Sequence, residues 1–158
     1  MIDRLMEKIE ACKNPTVVGL DPRLSMIPDI IKEEAYEKYG KTPEGAAEAF
    51  YLFNKEILDA VYDLIPAVKP QVAMYEMYGV PGMAAYIKTI EYAREKGLVV
   101  IGDIKRSDIA STAQAYADGH IGVAPVEEEK YEVYREDFVT LNPYLGVESI
   151  EPYFKNMK

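Results

Sequence analysis

Four times along this chain a short apolar or β-branched run gives way to a longer segment with helical spacing, and each run ends in polar groups. Thr16 to Leu20 (TVVGL) stops at Asp21-Pro22, and Pro66 to Pro70 (PAVKP) carries Lys69. Leu98 to Gly102 leads into Asp103 and Lys105, and Phe138 to Leu141 (FVTL) ends at Asn142. Strands alternating with helices imply parallel strands joined by right-handed crossovers, hence an α/β fold. In α/β barrels the active site is assembled at the C-terminal ends of the strands, where these polar residues stand.

The helical segments carry their own punctuation. Residues 2 to 12 fit a short leading helix. Thr42 is a predicted N-cap with Pro43 at the first helical position, and Phe50, Phe53, Ile57, Val61 and Leu64 follow at three- and four-residue spacing. Val80 to Lys96 reads as a further helix with Gly97 just past its end. Ser107 to Ala117 and the segment from Val147 onward also read as helix, and Val126 to Arg135 is expected to be a solvated helix starting at Glu127-Glu128-Glu129-Lys130. No strand is followed by a glycine-rich phosphate turn of the dinucleotide-binding kind.

With 158 residues the chain is expected to form a single domain, residues 1–158. A complete eightfold barrel takes about 250 residues. Four units are therefore either a smaller open sheet or a piece of a longer barrel. Apolar residues make up 49% and are spread evenly, which predicts a folded, soluble protein. The net charge of −9 argues against nucleic acid as a partner, because neutralising phosphates needs a basic face. No apolar run approaches a membrane span and the amphipathic start is unlike a signal peptide, so no membrane association and a cytoplasmic location are expected. Cys12 is the one cysteine and His120 the one histidine. The expected roles are structural for Cys12 and solvated loop for His120.

The densest chemistry lies in GDIKRSDIAST, Gly102 to Thr112. Residues two apart on a strand share a face, so Asp103 and Lys105 project together, with Asp108 following where the chain turns toward a helix. Lys69, at the end of another strand, completes an expected set of two lysines and two aspartates of alternating sign. A lysine flanked by carboxylates holds its proton ready for delivery to a carbon that becomes negative, and a neighbouring carboxylate repels an anionic leaving group. Tyr36, Tyr39, Tyr75 and Tyr78 read as packing residues with solvent-facing hydroxyls, and Met74 and Met77 as core filler.

Four motifs in order, GLDPR (19–23), VKPQVAMYE (68–76), GDIKRSDIASTAQAYA (102–117) and TLNPYLGVESIEPYF (140–154), resemble orotidine 5′-phosphate decarboxylase in its longer bacterial and archaeal-like branch. The resemblance implies the N-terminal half of a (β/α)8 TIM barrel, ending after the fourth βα unit. It implies decarboxylation of orotidine monophosphate to uridine monophosphate in pyrimidine biosynthesis, without cofactor or metal. Lys105 is then the proton donor to C6, and Asp103 the carboxylate facing the departing group, with Lys69 and Asp108 completing the catalytic set. Asp21, Lys69, Thr112 and Asn142 are the implied substrate-binding residues. Asp108 and Thr112 are expected to reach the partner's site in a homodimer. Ser107 and Ala110 stand where this branch is expected to have glycine. The phosphate-gripping loop and arginine are expected outside this sequence, which leaves the chain alone inactive or weakly active. Two other readings are a magnesium-dependent sugar-phosphate decarboxylase or aldolase of the same superfamily, disfavoured by Lys69 where a metal-binding acid is expected, and a non-catalytic half-barrel assembly module.

Overall fold

The structure, a computed structural model, describes residues 1–156. The chain divides into two compact units, one formed by Ile2–Val100 and the other by the chain from Ile101 onward together with Met1.

In the first unit, helix α1 (Ile2–Cys12) precedes strand β1 (Val17–Leu20). Two helices, α2 (Asp29–Tyr39) and α3 (Pro43–Val61), lead to strand β2 (Ala67–Pro70). A single turn α4 (Ala73–Glu76) and the long helix α5 (Gly79–Glu95) then reach strand β3 (Val99–Arg106). β1 and β2 are parallel, with Gly19 opposite Lys69 and Leu20 opposite Pro70, and β2 pairs in parallel with the start of β3. The helix signals operate as their chemistry requires. Thr42 Oγ1 accepts the Gly45 amide at 3.2 Å with Pro43 at the first position, which satisfies one of the amides a helix start leaves orphaned. Gly97, at φ 79°, takes the left-handed conformation that ends α5. Helix α2 falls in a connector whose apolar spacing is too sparse to announce it.

The core of this unit lies where α3 and α5 pack together and against the sheet, with Phe50, Leu58, Val68, Tyr86, Ile90 and Val99 at 1% exposure or less. Each such side chain contributes on the order of 1.5–3 kcal/mol by leaving water. Two sequence expectations fail here. The Tyr75 hydroxyl is buried, not solvent-facing, because Asn54 Nδ2 donates to it at 2.8 Å and also to Thr89 Oγ1 at 3.3 Å. Met77 is 71% exposed, since α4 ends there and the chain bends before α5.

The second unit contains the remainder of β3, helix α6 (Ala110–His120), strands β4 (Ala124–Val126) and β5 (Glu129–Tyr131), strand β6 (Phe138–Leu141), a 3₁₀ turn (Val147–Ser149) and helix α7 (Glu151–Lys155). β3 and β6 are parallel. The expected helix over Val126 to Arg135 is instead the antiparallel hairpin β4–β5, turning through Glu127 at φ 54°. The charged residues are solvated as expected, but cross-strand pairing supplies the backbone hydrogen bonds that a helix would have. The helix expected from Val147 is broken into the 3₁₀ turn and α7, and its last two residues lie outside the described part. Among the described residues no helix is long and apolar enough to cross a membrane.

Candidate active site

Regular strand alternation is not what brings Asp103 and Lys105 together. The β3–β6 register runs Ile101 to Phe138 and Gly102 to Val139, then shifts before Arg106 meets Leu141. Within that irregularity Lys105 has φ 50°. A side chain with a Cβ in this region costs roughly 1 kcal/mol or more, and an irregularity of this kind re-aims a side chain at a strand end. The result is an ion pair of 2.5 Å between Lys105 Nζ and Asp103 Oδ1.

The two partners differ in environment. The Asp103 side chain is 7% exposed and that of Lys105 is 62% exposed. A buried carboxylate is tolerated only when hydrogen-bonded or paired. Thr140 supplies a second partner, its Oγ1 donating to Asp103 Oδ1 at 2.8 Å. Thr140 Oγ1 also accepts the Lys105 backbone amide at 3.1 Å, within the stretch where the β3–β6 register shifts. Thr140 is the site residue that sequence reasoning missed. In FVTL it reads as an ordinary β-branched strand residue, and its position just before the polar strand end was its one available signal.

The remaining predicted residues fall at strand ends and at the start of a helix. Asp108 Oδ1 accepts the Ile109 amide at 2.8 Å just before α6, and Thr112 lies exposed in the first turn of that helix. Asn142 continues the β6 ladder through its amide to Arg106 O at 3.0 Å, while its Oδ1 accepts the Tyr144 amide at 3.0 Å. In the first unit, Asp21 follows β1 and Lys69 lies opposite Gly19 in β2. A Cβ placed on Gly19 would lie 3.8 Å from Asp21 Oδ1, so that carboxylate leans over the face that Gly19 shares with Lys69. Among the described residues no group of three or more His, Cys, Asp or Glu side chains is arranged to hold a metal ion.

His120 is not in a solvated loop. It ends α6, is 4% exposed, and its Nδ1 lies 2.7 Å from Glu136 Oε2. The glycine-rich DGHIG stretch resembles a loop locally, whereas the partner that buries the imidazole arrives sixteen residues later.

A parallel strand ending in a lysine–carboxylate pair, with polar residues at the ends of the other parallel strands, narrows the fold but leaves the family open. Residues 17–158 match the family described as Orotidine 5'-phosphate decarboxylase / HUMPS. The chain belongs to that family. Among family members, the orotidine 5'-phosphate decarboxylase of Petrotoga mobilis is 48% identical over 155 residues, which cover 98% of this chain and 47% of the relative. That of Clostridium tetani is 42% identical over 159 residues, covering 100% of this chain and 49% of the relative. The structure of Leishmania donovani OMP decarboxylase superposes with a TM-score of 0.71 at 27% identity, over 98% of this chain and 48% of that one. The chain thus spans about half the length of the curated relatives it matches. Its four parallel βα units are half of a (β/α)8 barrel, as the sequence predicts.

Proposed function

We propose that the chain carries the proton-donating part of an orotidine 5′-phosphate decarboxylase. The observation that supports this reading best is the Lys105–Asp103 pair at the irregular end of β3. In the proposed reaction the bond between C6 of the pyrimidine and its carboxyl carbon breaks, carbon dioxide leaves without the bonding electrons, and the pair remaining on C6 takes a proton from Lys105 Nζ. Asp103 keeps the ammonium in place before reaction and faces the departing carboxylate, so its charge disfavours the bound ground state more than a transition state in which that anion is disappearing. The exposed Lys105 amine left behind regains a proton from solvent and returns to the ammonium. No cofactor is required for these steps.

Asp21 and Lys69 are assigned to the ribose, Asn142 to the substrate near its own strand end, and Asp108 and Thr112 to the partner's site in a cytoplasmic homodimer. Residues 1–158 are assigned to a single domain. The phosphate grip is assigned to residues of the relatives that this chain does not span, and the isolated chain is proposed to turn over poorly.

Release of labelled carbon dioxide from carboxyl-labelled orotidine 5′-phosphate by the product of the complete reading frame tests the reaction. Turnover that survives Lys105→Ala would remove Lys105 from the donor role. Turnover abolished by a chelator would favour the magnesium-dependent relative instead.

A further inference from the structure

Behind the Asp103–Lys105–Thr140 cluster lies a buried carboxyl–imidazole contact that the proposed chemistry does not use. Glu136 and His120 are 5% and 4% exposed, and the imidazole is stacked on Tyr134 with ring centroids 4.6 Å apart and an interplanar angle of 18°. Two backbone bonds tie the segment leading into β6 to the end of α6, from the Tyr134 amide to Gly119 O and from the Glu136 amide to His120 O, each 3.2 Å.

The Glu136 carboxylate reaches from this tie to β3. One oxygen, Oε2, meets His120 Nδ1, and the other lies against Gly102, where an added Cβ would come within 2.5 Å of both Cδ and Oε1. Gly102 is the residue before Asp103 and the last one in regular register with β6. Glu136 itself lies four residues before Thr140 in the segment that enters β6. The contact therefore touches α6, the start of β6 and the backbone of β3 at the point where the register shifts. An apolar side chain of similar bulk would fill the space, but it would not supply polar atoms directed both at His120 and at Gly102.

We propose that His120 and Glu136 are positioning residues for the reaction. Their contact holds β6 against Gly102 so that Thr140 meets both Asp103 and the Lys105 amide. The kinetic part of this inference rests on the decarboxylase reading; the geometric part does not.

The test uses the product of the complete reading frame. Glu136→Leu removes the directed contact, Glu136→Gln retains its shape and a hydrogen bond to the imidazole, and Gly102→Ala displaces the carboxyl group while keeping both side chains. For Glu136→Leu and Gly102→Ala, kcat is expected to fall about tenfold or more with KM within about twofold, while Glu136→Gln recovers most of the loss. In the absence of substrate, the Lys105 ammonium and amide NMR signals are expected to move in both damaging variants. Folded variants with unchanged kcat and unmoved Lys105 signals would overturn the proposal. So would a loss shared equally by kcat, KM and melting temperature, which marks general loosening. If Glu136→Leu does not fold, Gly102→Ala carries the same expectations. If the unmodified protein releases no carbon dioxide, the decarboxylase reading fails, and the Lys105 signals alone decide whether the pair positions this cluster.

Discussion

Thr140 Oγ1 lies 2.8 Å from Asp103 Oδ1, and through this contact a strand residue with an unremarkable β-forming side chain joins the charged pair at the end of β3. The same hydroxyl oxygen accepts the Lys105 amide, so one small group holds both the carboxylate and the displaced backbone. A hydrogen bond to a charged group contributes roughly 1.5–3 kcal/mol. Thr140→Val keeps the β-branched shape and removes both bonds. It is expected to lower kcat by about ten- to a hundredfold if the full contribution is felt in the transition state, as measured by carbon dioxide release at saturating substrate.

Lys105 carries a backbone cost that its side chain makes useful. Its φ of 50° suits glycine better than any residue with a Cβ. Lys105→Ala and Lys105→Gly both remove the ammonium and are expected to be without turnover. They are expected to differ in stability, the glycine variant being the more stable by about 1 kcal/mol in urea unfolding. Equal stabilities would show that the left-handed backbone at this position is not strained.

A second charged cluster, on the first unit, is expected to contribute to acid sensitivity there. Asp59 is bonded by Lys96 at 2.5 Å, by the Tyr92 hydroxyl at 2.6 Å and by Lys55 at 3.3 Å. The Lys96 bond first, and the Tyr92 bond next, bring its carboxyl from the ordinary 3.8 down to about 2, against a smaller opposing effect of desolvation. A carboxyl whose folded value is lowered contributes stability above the unfolded value and loses it as pH falls through the folded one. The contribution of Asp59 is therefore expected in full above pH 4 and to be lost between pH 4 and pH 2. Carbon-detected NMR titration of the carboxyl should give a midpoint near 2, and Asp59→Asn should flatten the fall in unfolding stability over that interval.

The Tyr75 hydroxyl is a buried partner for Asn54, beside Thr89. Burial raises its pKa above the ordinary tyrosine value, so the hydroxyl stays protonated through the physiological range. Tyr75→Phe leaves the Asn54 amide with the longer Thr89 contact alone among these two bonds. It is expected to cost about 1–3 kcal/mol in thermal or urea unfolding, the price of leaving a buried donor poorly satisfied. A loss below a few tenths of a kcal/mol would show that another partner takes over.

What could be read from the residues was local in its causes. The Thr42-Pro43 start of α3 and the Gly97 end of α5 depend on backbone groups within a few positions, and both stand in the structure as expected. The strands that close near Asp21, Lys69 and Asn142 followed from period and punctuation in the same way, whereas β3, expected to end at Gly102, runs on through Asp103 and Lys105 to Arg106 because polar residues there hide its continuation. The hairpin at Ala124–Tyr131 was misread because a charged, exposed stretch has little apolar period to follow, so backbone pairing and not side-chain burial selects its conformation.

The sequence by itself therefore determined the α/β class, the family, and where charged and polar residues follow the apolar strand runs, because hydrophobic period, helix caps and residue type act over a few neighbouring positions. Tertiary structure decided how that chemistry is held. Thr140 reaches Asp103 and Lys105 across 37 and 35 residues, and Glu136 buries His120 across 16. A carboxylate or imidazole can leave water only when such a partner arrives, and the arrival depends on packing that no short stretch of sequence contains.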